Sequence, residues 1–466
     1  MSFRRGIFAL AFFVSQSASA ATLTVGPGKT FAKPCAAIAA AQPGDIIEVD
    51  ASGNYDGDTC AWSTDNLTVR GVGGRAKIDL TGVTPAQQKG IFTVYAPNAT
   101  IENFELSGAA ISANAGNNGA GIRHQGTNLT VRNCYLHDDQ DGILGAPPTD
   151  GTGTVLIEYS EFANNGAGDG YSHNMYLNHY ASFTLRYSYS HGAKVGHLVK
   201  TRAYENFVLY NRITDETGTT ASYEIDIPNG GTSYVIGNLI EQSATSQNPT
   251  IVTSGEEGTS NPDQHFYFVN NTVVNDLGSG TFVNLAAGTI ALLENDIFRG
   301  KGTITSLAGA TLTSNWDDGK GDPMLAAQAS YDYHLLPGSP CVDQGTAPGS
   351  GLNNQSLAPD HDYVDVASTE TRSVAGAAID IGAYELGGGG TDAGTTGDAA
   401  GGSDAASGSD AAPGGDGGTG GEGGSGGCGC TTAGGAGNTL APWVALGALA
   451  GLIRRRRSPS SARARR

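Results

Sequence analysis

Apolar and polar side chains alternate over short stretches of this chain, and the stretches recur. In LTVRNCYL (129–136), Leu129 and Val131 face one way and Thr130 and Arg132 the other; Asn133 ends the alternation before another apolar position follows. The same pattern stands at ATIENFEL (99–106), VLIEYSEF (155–162), FTLRYSYS (183–190), FVLYNRIT (207–214), YVIGNLIE (234–241), YFVNNTVV (267–274) and ALLENDIF (291–298). The fifth residue of each is Asn103, Asn133, Tyr159, Tyr187, Asn211, Asn238, Asn271 and Asn295, at spacings of 24 to 33 residues. Period-two alternation predicts half-buried strands, and a repeat of about 25 residues with Gly or Asn at the bends predicts stacked coils. The expected fold is all-β: a right-handed single-stranded parallel β-helix solenoid, with coils about 4.8 Å apart. Asn at the repeated bend suits a tight turn and an internal side-chain ladder.

The two ends do not share the pattern. Residues 1–20, with Arg4 and Arg5, an apolar run and Ala18-Ser19-Ala20, have the parts of a secretory signal peptide. Residues 387–427 form a glycine-rich, apolar-poor stretch with an acid every sixth position, expected to be a disordered tether. In residues 428–466 a cysteine motif, GCGC, precedes a short apolar stretch and an arginine-rich tail, the layout of a short transmembrane helix with its basic end in the cytoplasm. These boundaries leave 21–386 as the β-helix domain. There CAAIAAAQPGDIIEVD (35–50) reads as a cap helix, a turn and a first strand, because a coil stack must cover its exposed strand edges.

Charge narrows the partners. The whole chain is at −19, and with nine of its basic residues and six of its acids lying at the ends, residues 21–386 hold 17 cations against 39 acids, a net −22. So acidic a body excludes nucleic acid as a partner and works against long-range attraction of acidic polymers, although screening over about 8 Å lets a local basic patch act on its own. Cys35 and Cys60 are close enough in sequence to close the N-terminal edge as a disulfide, Cys134 and Cys341 read as buried single thiols, and no CxxC pair points to zinc.

Three resemblances follow from these residues. The cysteine motif, apolar stretch and arginine cluster resemble the myxobacterial C-terminal sorting signal, MYXO-CTERM. That implies export, processing near Cys428 or Cys430, and display at the cell surface or outer membrane, with membrane contact before processing. The 35–50 segment looks like the N-terminal cap of pectate-lyase-like β-helices. DYHLLPGSPCVDQG (332–345) and DIGAYE (380–385) resemble the closing segment of choice-of-anchor Q surface proteins. Together they imply an exported monomeric β-helix that meets a glycan, as an enzyme or as an adhesin.

Rare residues cluster on three successive coils. Arg186, Lys194, Lys200, Arg202 and Arg212 fall within 27 residues, and His173, His179, His191 and His197 within 25. Alternation in HNMYLNH (173–179), HLVKTRA (197–203) and SYEIDIP (222–228) is expected to point Asn174, Tyr176, Asn178, Lys200, Arg202, Glu224 and Asp226 outward as one strip. One reading pairs Lys200 with Glu224 and Arg202 with Asp226 as a salt-bridge ladder on a non-catalytic adhesin or glycan-binding stalk. The other is a polysaccharide lyase acting on uronate polymers. There Lys200 is the base, Arg202 the carboxylate clamp, Tyr176 or His197 the proton donor, and Asn174, Asn178 and Arg186 bind an acidic polysaccharide. Glu224, Asp226 and Asn178 offer oxygen ligands for Ca2+. This set resembles β-helix lyases of the chondroitinase B and alginate lyase type, which join an acidic calcium site to a lysine and an arginine. HDDQDG (137–142) reads as turn chemistry, and the four histidines bracket strands rather than sharing a zinc-binding face.

Overall fold

The computed structural model describes residues 20–387. The leader, the tether and the C-terminal sorting segment therefore lie outside the described residues, apart from Ala20 and Gly387. Among the described residues no helix is long and apolar enough to cross a membrane.

Three parallel sheets wind along one axis. The first has twelve strands, from Thr22–Val25 to Thr311–Thr313. The second has ten, from Ala76–Asp79 to Trp316–Asp317, and the third ten, from Cys60–Trp62 to Thr303–Thr305. One coil runs through Tyr180–Arg186 in the first sheet, Tyr189–His191 in the second and Val199–Thr201 in the third, then re-enters the first at Glu205–Leu209. This is the predicted parallel β-helix. Its inner columns are apolar because alternation sends every second side chain inward. Val131, Ile157, Leu185, Val208, Val235, Phe268 and Leu293 stack in register and are fully buried, each such burial stabilising by roughly 1.5–3 kcal/mol.

The bend between the first and second sheets uses two residues, which the sequence pattern merged. A left-handed residue turns the chain at Asn103, Asn133, Tyr159, Tyr187, Tyr210, Gly237, Asn270 and Asn295. The residue after it points inward. Asn211, Asn238 and Asn271 are therefore ladder residues one position beyond the turn, whereas Asn103, Asn133, Tyr159, Tyr187 and Asn295 are the turn itself. Asparagine tolerates the left-handed region and also hydrogen-bonds its neighbours, so it fits both places. The ladder runs Asn211 Nδ2 to Asn238 Oδ1, Asn238 Nδ2 to Asn271 Oδ1 and Asn271 Nδ2 to Asp296 Oδ1, each at 3.0 Å. Asn238→Ala is expected to cost about 2 kcal/mol, because it strands buried partners in two adjacent coils; urea denaturation with Asn133→Ala as the turn control measures it.

The helix Pro34–Ala40, with proline at its first position, buries Ala37 and Ile38 in the core, and a Cys35–Cys60 disulfide ties it to the first strand of the third sheet. Cys134 and Cys341 are buried free thiols. Beyond the last coil the chain turns back along the outside. Hairpins of Leu325–Ala327 with Asp332–Leu335 and of His361–Val364 with Ser368–Thr371 bring Tyr333 and Tyr363, joined by Tyr384 from the stretch after them, against Leu239 and Val274 of the second sheet.

Candidate functional site

The predicted strip lies on the outer face of the third sheet. Met175–Leu177, Val199–Thr201 and Ile225–Ile227 are adjacent strands, with Met175, Leu177, Val199, Ile225 and Ile227 fully buried. Tyr176, Lys200 and Asp226 alternate outward and stand opposite one another across the coils, and Arg202 follows two residues after Lys200. The register differs from the expected ladder by two residues. Lys200 Nζ meets Asp226 at 2.8 Å, not Glu224, and Arg202 Nη2 meets Glu257 at 2.8 Å, not Asp226. Glu257 also reaches Lys200 at 3.6 Å.

The tyrosine ring organises both cations. Lys200 Nζ lies 5.4 Å and the Arg202 guanidinium 5.6 Å from the centre of Tyr176, within cation–π range. Arg202 Nε also donates to Tyr176 Oη at 2.8 Å, and Nη1 donates to Asn229 Oδ1. Behind them His173, His197 and Tyr223 stack ring on ring at 4.4 and 5.0 Å. The backbone N–H of His197 donates to His173 Nδ1 at 2.9 Å, which assigns the His173 proton to Nε2. Burial pushes His173 down to about 3, helped by Lys200; burial, His173 and the two cations push His197 well below the usual range. Both imidazoles are neutral near pH 7. His197 Nε2 lies 3.8 Å from Asp226, whose carboxyl burial pushes up against the opposing pull of Lys200. Tyr171, two residues before His173, is 85% exposed.

No protein-family model and no curated protein matches the chain. Among solved structures, pectate lyase Pel9A matches at 15% identity with a TM-score of 0.50, over 80% of this chain and 97% of that one. The fold is the pectate-lyase-like parallel β-helix. The Dettilon tailspike protein (gp208) also matches, at 13% identity with a TM-score of 0.28, over 58% of this chain and 62% of that one.

In this pectate-lyase-like β-helix several predicted residues lie away from the strip. Asn174 and Glu224 were expected to face outward and are instead fully buried. Each precedes its strand by one residue and so sits in the bend, where alternation does not hold and the side chain turns into the corner. Asn174 is satisfied there, donating to Ser190 Oγ at 3.0 Å and His191 O at 2.8 Å. Glu224 has no partner for either oxygen; burial, reinforced by Asp215 and Glu241, pushes its carboxyl far up. Asn178 directly follows the strand Met175–Leu177 and donates to Gly145 O at 3.3 Å, alongside Arg202 rather than Asp226. Arg186 belongs to the first sheet, in a ladder of Glu102, Arg132, Glu158 and Arg186 with contacts of 2.5–2.7 Å.

Glu224, Asp226 and Asn178 thus do not converge on one ion: one is in the corner, one is held by Lys200, and one is on another strand. Among the described residues no group of three or more His, Cys, Asp or Glu is placed to hold a metal. His179 and His191 likewise lie apart from the His173–His197 stack, near Asp150 and Glu161 respectively. In HDDQDG only Asp138 has a left-handed turn backbone; Asp139 and Asp141 are buried and accept backbone N–H groups from Ala109 and His173 on neighbouring coils, and Asp141 opens the strand Asp141–Gly145. The residues that sequence reasoning passed over are Glu257, Asn229, Tyr223 and Tyr171. GEEG at 255–258, directly after a third-sheet strand, was the available signal for Glu257.

Proposed function

We propose that this chain is an exported carbohydrate-active β-helix that cleaves uronate polymers by β-elimination. One observation carries the reading: two cations flank a tyrosine on the outer face of the third sheet, and of the two acids paired with them Asp226 is buried while Glu257 is half-exposed. The name of the Pel9A structure, a pectate lyase, agrees with a uronate substrate, and the Cys35–Cys60 bridge agrees with an oxidising compartment.

The chemistry can be assigned to the chain's own residues. Arg202 takes the uronate carboxylate bidentately, which acidifies the neighbouring C5 hydrogen. Lys200 passes its proton to Asp226 across their 2.8 Å contact, an acceptor raised by burial, and takes the C5 proton with its freed lone pair. The C5–H electron pair becomes the C4–C5 double bond, the C4–O4 bond breaks, and Tyr176 Oη gives O4 its proton. No step passes through calcium, because the expected ligands do not meet.

The test follows the ultraviolet absorbance of the unsaturated product when the purified protein meets polygalacturonate, alginate and glycosaminoglycans, with calcium and with chelator. Lys200→Met is expected to lower the rate at least about a hundredfold when assayed below the unfolding temperature of the variant, which falls because the buried Asp226 is left without its cation. A wild-type rate in that variant removes Lys200 as the base. The second reading, a glycan-binding stalk, is favoured by Lys200 and Arg202 already having acidic partners; it gains if no polymer yields absorbance but one binds.

A further inference from the structure

Two acids touch the Lys200–Arg202 pair, and they differ in kind. Asp226 is sealed in, with its side chain 5% exposed, against a lysine that is 10% exposed. Glu257 is 51% exposed and splits its carboxylate, Oε2 to Arg202 at 2.8 Å and Oε1 to Lys200 at 3.6 Å. It rides on a tight turn, 255–258, which begins and ends in glycines at left-handed φ of 80° and 120° and closes by Gly258 N–H to Gly255 O at 3.1 Å. The backbone N–H of Glu257 donates to Pro228 O at 2.9 Å, and its neighbour Glu256 is occupied elsewhere, by Thr253 Oγ1 at 2.9 Å. The turn therefore aims one carboxylate at the cation pair. Arg202's remaining side-chain partners, Tyr176 and Asn229, are neutral.

We propose that Glu257 is a resident stand-in for the ligand's carboxylate: it fills the seat that Arg202 and Lys200 make for a uronate, and a sugar acid binds by displacing it. This rests on the uronate reading of the strip and adds to it the residue that sets its selectivity. An ion pair whose acid is half-exposed is weakly held, so a ligand carboxylate that also packs its sugar on the tyrosine face can compete with it. A buried pair such as Lys200–Asp226 cannot be exchanged so cheaply. Neutral sugars leave Glu257 seated, and the site rejects them.

Sodium galacturonate is the probe, since a monosaccharide has no glycosidic bond to cleave and binding is read without turnover. Full-length wild type, Glu257→Gln, Arg202→Ala and the Glu257→Gln/Arg202→Ala double variant are titrated calorimetrically, with glucose as the neutral control. A seat filled by Glu257 about nine-tenths of the time weakens apparent affinity about tenfold, so Glu257→Gln is expected to bind galacturonate about tenfold tighter. The gain should vanish in the double variant, and glucose should be indifferent throughout. Equal or weaker binding by Glu257→Gln, in protein that unfolds at the wild-type temperature, overturns the proposal. Polymer cleavage without that gain would leave the lyase standing and remove the stand-in; the gain without any cleavage would do the reverse.

Discussion

Arg372→Met is expected to destabilise the protein by about 3–5 kcal/mol, because it leaves two buried carboxylates facing each other without their cation. Arg372 has a fully buried side chain, bonded to Asp362 at 3.3 Å, to Glu385 at 3.0 Å and to the Ala383 carbonyl at 2.6 Å. Those acids belong to two separate parts of the returning segment, the His361–Val364 strand and the 380–385 stretch. The latter is hydrogen-bonded to the coils, with Asn270 Nδ2 donating to Asp380 O at 2.8 Å and Ala383 N–H to Thr272 Oγ1 at 3.0 Å. The arginine thus fastens the outer hairpin to the part that grips the stack. Burial pushes Asp362 up to about 6 even with Arg372 beside it. Urea denaturation measures the loss, and limited proteolysis shows whether the hairpin frees first. Replacing all three by apolar residues, Arg372→Met with Asp362→Leu and Glu385→Leu, is expected to recover most of it. A single variant as stable as wild type would mean that water reaches the triad.

The coil architecture was legible because a period-two pattern repeated along the chain leaves little choice of fold. The same parity placed Tyr176, Lys200, Arg202 and Asp226 on one face. It failed at Asn174 and Glu224, where a strand has not yet begun and the chain is still bending. Register across coils was illegible for a related reason: it depends on bends of varying length, and an error of two residues keeps the face while changing every partner. Lys200 was thereby assigned Glu224 in place of Asp226. Glu257 was missed because its contact to Arg202 spans 55 residues and two full coils. The returning segment makes still longer contacts, such as Arg212 to Asp365 at 153 residues' separation, which no local pattern encodes.

That segment also buries charge, and stability should report it through pH. Glu241 lies on the second-sheet strand Leu239–Gln242, beside Leu239, which packs under Tyr333 and Tyr384. Burial pushes its carboxyl up to about 8, with Asp215, Asp276 and Glu216 adding in the same direction and the Glu216 backbone N–H, at 2.8 Å, opposing them. The folded chain therefore holds a proton on Glu241 that the unfolded chain gives up near pH 4.5. Its contribution is fully present below pH 4.5 and is lost as pH rises towards 8, an effect on the order of 4 kcal/mol. His173 and His197, held neutral by burial, act in the opposite sense below about pH 6.5, so the wild-type curve alone mixes the two. The comparison with Glu241→Gln separates them. Glutamine keeps an acceptor for the Glu216 N–H and carries no charge at any pH. The variant is expected to match wild type at pH 5 and to exceed it by roughly 2–4 kcal/mol at pH 8, measured by urea denaturation at both. A constant difference between the two proteins would show that Glu241 ionises alike in the folded and unfolded chain, and that the returning segment does not seal it from water.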